Sequence, residues 1–160
     1  MRSEQETNRS VERYGDMIRR LCLVHLKNET DAQDIFQTVF LKYFTSEVVF
    51  ENEEHEKAWL IRVCLNACRD WLRDVFRRRT VNLDALYDQG TEMPQDNQEV
   101  LQAVLTLSAK ERELVYLHYY EGYTAPQIGK ILGKNPNTVY TCLTRAREKL
   151  RKKLGGEQIG

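Results

Sequence analysis

Capping residues and glycines cut the last third of the chain into short helices, and this punctuation limits the fold more than any other feature of the sequence. Thr124-Ala125-Pro126-Gln127 is a capping box with proline in the first turn, where its missing N–H is no loss. The helix it opens, Ala125–Leu132, is stopped by Gly133. Asn135 and Pro136 then begin a longer helix as cap and first helical residue. Upstream, Ser108-Ala109-Lys110-Glu111 is another capping box, and its helix runs to Tyr120 before Glu121-Gly122 ends it. Gly122 is free to take the left-handed conformation such a stop requires.

A short helix, a glycine turn and a longer basic helix make up the helix-turn-helix plan for entering a DNA major groove. Ile128, Ile131, Val139 and Leu143 are spaced to lock the two helices at a fixed angle. Asn137, Thr138, Tyr140, Thr141 and Thr144 can reach base edges from the start of the second helix. Lys134, Arg145, Arg147, Lys149, Arg151, Lys152 and Lys153 flank them as phosphate-holding cations. Thr138 also stands where it can serve the helix start. The competing reading of the whole stretch is a packed helical hairpin with a solvated basic end.

The rest of the chain also reads as helix, with no period-2 pattern for a strand. A first helix is expected over residues 8–27, with Val11, Tyr14, Ile18, Leu21, Cys22 and Leu26 on one stripe. A second is expected from Thr30, opened by the box Thr30-Asp31-Ala32-Gln33, to about Phe44. Residues 45–55 break the pattern and read as a loop. A third helix from about Glu56 to Arg78 carries Leu60, Val63, Cys64, Ala67, Cys68, Trp71, Leu72 and Val75 on its apolar stripe. Arg62, Arg69, Arg73 and Arg77 fall off that stripe. Residues 81–97 hold Gly90, Pro94 and no Lys or Arg, and are expected to link two small domains, 1–80 and 98–155. The fold class is therefore all-α, two small helical domains joined by an acidic linker.

The 160 residues carry no net charge, yet the charge is strongly blocked. Residues 1–55 sum to −4, 56–80 to +4, 81–101 to −5 and 102–160 to +5. Both basic blocks coincide with helical motifs, which suggests two nucleic-acid surfaces with acidic faces left for other partners.

No apolar run is long enough to cross a bilayer, and the polar start MRSEQETNRS has no signal-peptide pattern, so a cytoplasmic protein is expected. Cys22, Cys64, Cys68 and Cys142 lack disulfide-framework spacing and are expected to be reduced thiols. Cys64 and Cys68 are four apart with His55 nearby in sequence, a pattern open to a metal reading. Both sit on the apolar stripe, however, and no second pair has ligand spacing, so core packing is expected and no metal. Without a nucleophile elbow, a phosphate-binding glycine loop or a zinc-protease motif, no catalysis, cofactor or small-molecule substrate is expected.

Taken together, the chain resembles the extracytoplasmic-function (ECF) sigma factors of bacterial RNA polymerase, within the sigma-70 superfamily. The stretch LTLSAKERELVYLHYYEGYTAPQIGKILGKNPNTVYTCLTRAREKL looks like their region 4. DAQDIFQTVFLKYF and AWLIRVCLNACRDWLR look like successive parts of region 2, where Trp59-Leu60, Asn66, Asp70 and Arg73 fall on the family pattern.

The resemblance implies an alternative sigma factor whose partners are core RNA polymerase, at the clamp helices of the largest subunit and at the flap, and promoter DNA. The family often has an anti-sigma factor too. Asp31, Asp34, Gln37 and Leu41 would touch the clamp helices, although Asp31 equally suits helix capping. The loop over 45–55 would capture a base flipped from the −10 element, with Glu51, Asn52, Glu53 and Glu54 as acceptors. Asn66, Arg69, Arg73 and Arg77 would read and melt the same element. Trp59 would stack on a base or pack beneath the helix. Lys134, Asn137, Thr138, Tyr140, Thr141, Thr144, Arg145 and Arg147 would read the −35 element. The acidic linker would thread the polymerase channel.

Some positions depart from the family pattern. Gln33 and Gln127 stand where Glu is usual, Gly129 where Ala is usual, and Thr-Val-Tyr-Thr-Cys-Leu over 138–143 replaces a more cationic Thr-Val-Lys-Ser-Arg-Leu. The alternative function is a free-standing helix-turn-helix regulator that binds duplex DNA without polymerase.

Overall fold

A computed structural model of the chain describes residues 1–79 and 98–155. Every element among the described residues is helical. The chain divides into two compact units, one holding α1 (Glu4–Leu26), α2 (Glu29–Thr45) and α3 (Glu53–Arg79). The other holds α4 (Gln98–Leu105), α5 (Ala109–Val115), α6 (Ala125–Leu132) and α7 (Pro136–Lys153). The expected linker over 81–97 lies outside the described residues.

In the first unit the three helices each pack on the other two. Ile18, Leu21 and Cys22 of α1, Val39 and Tyr43 of α2, and Leu60, Ile61, Cys64 and Leu65 of α3 are almost completely buried. Ile61 and Leu65 join a core that the sequence stripe did not include. Val63, Trp71, Leu72 and Val75, expected in the core, are only half-buried. The buried face of α3 is thus rotated toward its amino-terminal half, where α1 and α2 cover it.

Two helix starts differ from expectation for one physical reason: an asparagine two residues upstream of Thr30, and another four upstream of Glu56, offers a better cap. Asn28, not Thr30, caps α2, and its side chain accepts the Asp31 amide at 3.0 Å. Lys27, left-handed at φ 59°, closes α1 directly before it, so the connection is too short for a later start. Asn52 likewise starts α3 three residues early, its Oδ1 accepting the His55 amide at 2.8 Å. The first helix begins at Glu4, capped by Ser3, in a polar stretch where apolar periodicity gave no signal.

In the second unit both capping boxes form as expected, at Ser108/Glu111 and Thr124/Gln127. Gly122 and Gly133 take positive φ, 75° and 68°. Asn135 caps α7 with Pro136 at its first position. One feature had no sequence signal: α5 continues through a π-helical turn over Tyr116–Tyr120, with the Glu121 amide bonded to the Tyr116 carbonyl at 3.2 Å. The wider turn stacks Tyr116 on Tyr120 and leaves Tyr119 and Tyr120 exposed.

Candidate nucleic-acid interface

The helix-turn-helix is α6 and α7. Ile128, Ile131, Val139 and Leu143 are buried between them, as the spacing predicts. The turn is unusually tight. The Lys134 amide bonds to the Gly129 carbonyl at 2.8 Å, and a Cβ on Gly129 would lie 2.5 Å from the Lys134 carbonyl oxygen. A side chain at 129 therefore requires the turn to move, and glycine permits this close approach.

Val139, Leu143, Ala146 and Leu150 turn inward along α7, so its remaining faces are open. Asn137, Thr138, Tyr140, Thr141, Thr144 and Arg145 are all exposed, and Lys134 and Arg147 are half-buried. They fall on two faces. Asn137, Thr138, Thr141, Cys142, Arg145 and Lys149 line one side of a 530 Å³ groove, completed by Ser108, Lys110 and Glu111 at the start of α5. Lys110 is a cation that sequence reasoning missed, because only the packing of α5 on α7 brings it there. Tyr140, Thr144 and Arg147 recur at helical spacing on a second face. There the Arg147 guanidinium is held by the Tyr119 hydroxyl at 2.9 Å and lies 5.9 Å from its ring. The hydroxyls of Thr141 and Thr144 donate to the carbonyls of Asn137 and Tyr140. This leaves their oxygens as acceptors on the exposed surface.

Glu111 lies at the root of the groove, its carboxylate bonded to Lys149 at 3.0 Å and to the Ser108 amide at 3.1 Å. Burial pushes this carboxyl up, but hydrogen bonds from Lys149 and Ser108 outweigh burial and hold it below the ordinary range. It remains an anion there, and so holds Lys149 against the groove.

In the first unit, Arg62, Asn66, Arg69, Arg73 and Arg77 recur every three or four residues and form one exposed stripe on α3. Asn66 Oδ1 accepts from Arg69 at 3.4 Å, and Arg73 pairs with Asp70. Trp59 is not part of that stripe. Its half-buried ring meets Tyr43 edge-on at 6.0 Å and Phe50 at 5.6 Å, so it packs beneath the helix.

The loop between α2 and α3 is shorter than expected, residues 46–52, and is anchored by Phe50 against Tyr43, His55 and Trp59. Arg2 holds its other side. Its guanidinium is 4.5 Å from the Tyr43 ring and 4.6 Å from that of Phe50, and it bonds to the carbonyls of Tyr43 and Val48. Between this loop and α1 lies a 680 Å³ cavity, lined by Arg2, Arg9, Arg13, Tyr43, Glu53 and Glu56 among others. Of the four expected acceptors, Asn52 and Glu53 reach the cavity and Glu51 and Glu54 do not. Asn52 spends its oxygen on the α3 cap, and Glu53 pairs with Arg13 at 2.8 Å.

Asp31, Asp34, Gln37 and Leu41 run along one outward side of α2. Leu41 is 63% exposed, an apolar contact surrounded by polar groups. Burial, then the Asp34 charge, raises the Asp31 carboxyl above its usual value. Among the described residues no helix is long and apolar enough to cross a membrane.

The fold and these surfaces define a class: a two-unit helical DNA-reading protein with a helix-turn-helix in its second unit. Residues 10–80 match the family model for sigma-70 region 2, and residues 97–150 match that for sigma-70 region 4. The chain is 28% identical over 142 residues to the RNA polymerase sigma factor SigV of Bacillus subtilis, covering 88% of this chain and 86% of that protein. It is 29% identical to the ECF sigma factor SigW of the same organism, covering 90% and 86%. The fold is that of the sigma factor RpoE from Bartonella quintana, solved in complex with the anti-sigma factor NepR. That match has TM-score 0.82 at 21% identity, over 96% of this chain and 99% of that one. CnrH, solved with the cytosolic domain of CnrY, matches at TM-score 0.71 and 24% identity, over 98% and 92%.

The chain belongs to the sigma-70 family and groups with its ECF sigma factors. It is an alternative sigma factor, a subunit that directs RNA polymerase to promoters.

Proposed function

We propose that the two units divide promoter reading between them. The observation that supports this division is the pair of exposed basic helical faces, one on α3 and one on α7, in separate compact units. In this reading α7 enters the major groove of the −35 element. Asn137, Thr138 and Thr141 meet base edges there, while Lys110, Lys134, Arg145 and Lys149 hold phosphates. Tyr140 and Thr144 read from the second face, and Arg147, steadied by Tyr119, approaches the backbone. The stripe Asn66, Arg69, Arg73 and Arg77 reads and melts the −10 element.

The cavity beside the 46–52 loop receives the flipped base. Its volume admits a nucleobase, Arg9 suits a phosphate, and Glu53 or Glu56 suits an exocyclic amine once it exchanges its present partner, Arg13 or the Tyr43 hydroxyl. Trp59 supports this loop from beneath through Phe50, and Asn52 sets the start of α3; neither is assigned a base contact.

The side of α2 with Asp31, Asp34, Gln37 and Leu41 docks on the clamp helices of core polymerase, and the second unit docks on the flap. An anti-sigma factor is a further partner, since both solved relatives were captured in complexes, one of them with an anti-sigma factor by name. The protein acts in the cytoplasm as an initiation factor with no catalysis of its own.

Transcription from a genomic template library by core polymerase with and without this chain tests the reading. Discrete new start sites that require both are expected. Tight, sequence-specific binding of duplex DNA by the chain alone, without new starts when core is added, would instead make it a free-standing regulator.

A further inference from the structure

Three thiols from two helices meet in the core of the first unit. The Sγ atoms of Cys22 on α1 and of Cys64 and Cys68 on α3 all lie within 4.8 Å of one another. Those of Cys22 and Cys64 are 3.5 Å apart, and all three residues are inaccessible to solvent. In a tetrahedral zinc site with Zn–S bonds of about 2.3 Å, neighbouring sulfurs stand about 3.8 Å apart. The cluster is therefore already near that spacing, and its widest separation needs to close by no more than about 1 Å.

The three thiols alone make up the group within that distance, so a fourth donor has to move in from the surrounding core. His25 follows Cys22 by about one helical turn on α1 and is 2% exposed. Its Nδ1 is 3.0 Å from the Leu21 carbonyl. With Nδ1–H donating there, the tautomer this contact implies, Nε2 carries the lone pair. A backbone carbonyl fixing the far nitrogen is how proteins orient a metal-binding histidine. α1 thus carries Cys22-x-x-His25 and α3 carries Cys64-x-x-x-Cys68, with the three thiols already together and His25 the nearest imidazole along α1. The sequence reading, which assigns Cys64 and Cys68 to the core and notes only His55 nearby, overlooks Cys22 and His25. His55 lies in the first turn of α3, where its Nδ1 accepts the Glu51 amide.

We propose that Cys22, Cys64 and Cys68 form a buried thiolate site for Zn²⁺, completed by His25, that staples α1 to α3. Binding releases three thiol protons to solvent, forms three Zn–S bonds and one Zn–N bond, and leaves one net negative charge on the centre. Because the site is enclosed, the ion enters as the helices open or first close on each other. The staple holds the inner face of the helix whose outer face carries Asn66, Arg69 and Arg73.

The test is a titration of the full-length, reduced chain with Co²⁺, a spectroscopic stand-in for zinc. One equivalent should give thiolate-to-cobalt charge-transfer absorption with tetrahedral visible bands, be displaced by Zn²⁺, and raise the melting temperature. Cys142→Ser should keep the spectrum, Cys22→Ala with Cys68→Ala should lose it, and His25→Gln should change its shape and weaken binding. A folded, reduced wild-type chain that gives no such spectrum overturns the proposal, whether or not the double variant folds. An unchanged spectrum in the double variant overturns it too. Preferential uptake of Cu(I), unaffected by His25→Gln, would overturn the zinc assignment.

Discussion

Lys149 Nζ lies 3.0 Å from one oxygen of Glu111 and 3.1 Å from the other, joining the recognition helix to the capping box of α5. The carboxylate does double duty, since it also accepts the Ser108 amide. Glu111→Ala should lower stability by about 1–2 kcal/mol through loss of cap and ion pair together. Lys149→Met removes only the half-exposed pair and should lower it by less than about 1 kcal/mol. The folded-state pKa of Glu111 is depressed below its ordinary value of 4.5, so its contribution is complete above that pH. It is lost as pH falls through the lower, folded value. Thermal melts from pH 7 to pH 3 should show a steeper acid decline for wild type than for Glu111→Gln; parallel curves would remove the role assigned to this pair.

Gly129→Ala is expected to destabilise the second unit although alanine is the better helix former. Propensity favours the variant by about 1 kcal/mol. Against this, a Cβ would stand 2.5 Å from the Lys134 backbone oxygen, and such overpacking costs about 1–3 kcal/mol. A melting temperature lowered by several degrees is the expected readout. An unchanged or higher value would show that the turn relaxes freely.

Arg69→Ala combined with Arg73→Ala should leave core-polymerase binding intact and abolish open-complex formation. Permanganate footprinting of unpaired thymines, beside a pull-down on core enzyme, separates the two. Loss of both activities together would point instead to a misfolded first unit.

Leu41→Glu should do the reverse. Leu41 is 63% exposed, so the substitution is neutral for folding, yet it places a charge at the centre of the proposed clamp-facing side of α2. Competition for core polymerase should weaken by at least about tenfold, as for loss of an apolar anchor worth more than about 1.4 kcal/mol.

Arg145→Ala should weaken binding to the −35 element evenly across sequences and reduce the salt slope by about 1, as expected for one phosphate contact. Asn137→Ala should instead alter base preference at one position with little change in slope. Quantitative binding of core-bound protein at several salt concentrations distinguishes them, and a swapped pattern would exchange their roles.

The second unit was the more legible half of the sequence. Its boundaries are set by local chemistry, capping oxygens and left-handed glycines, and every one of those signals formed where it was read. The first unit depends more on tertiary packing. Cys22 reads as one more apolar position until α1 is laid against α3. Ile61 and Leu65 enter the core because the bundle covers a different arc of α3 than its longest apolar stripe suggests. The π-helical turn at Tyr116–Tyr120 has no residue signature; it shows only in the backbone, where the Glu121 amide bonds to the Tyr116 carbonyl. Lys110 entered the groove unannounced for a similar reason: sequence shows which faces of a helix are polar, but not which neighbour stands opposite.

The hold of Arg2 on Tyr43, Phe50 and the Val48 carbonyl has a practical side. Arg2→Ala removes the residue that shapes the 46–52 loop. Wild type and this variant should then disagree on the base they favour beside that loop, if the proposed capture holds, while agreeing on the upstream element.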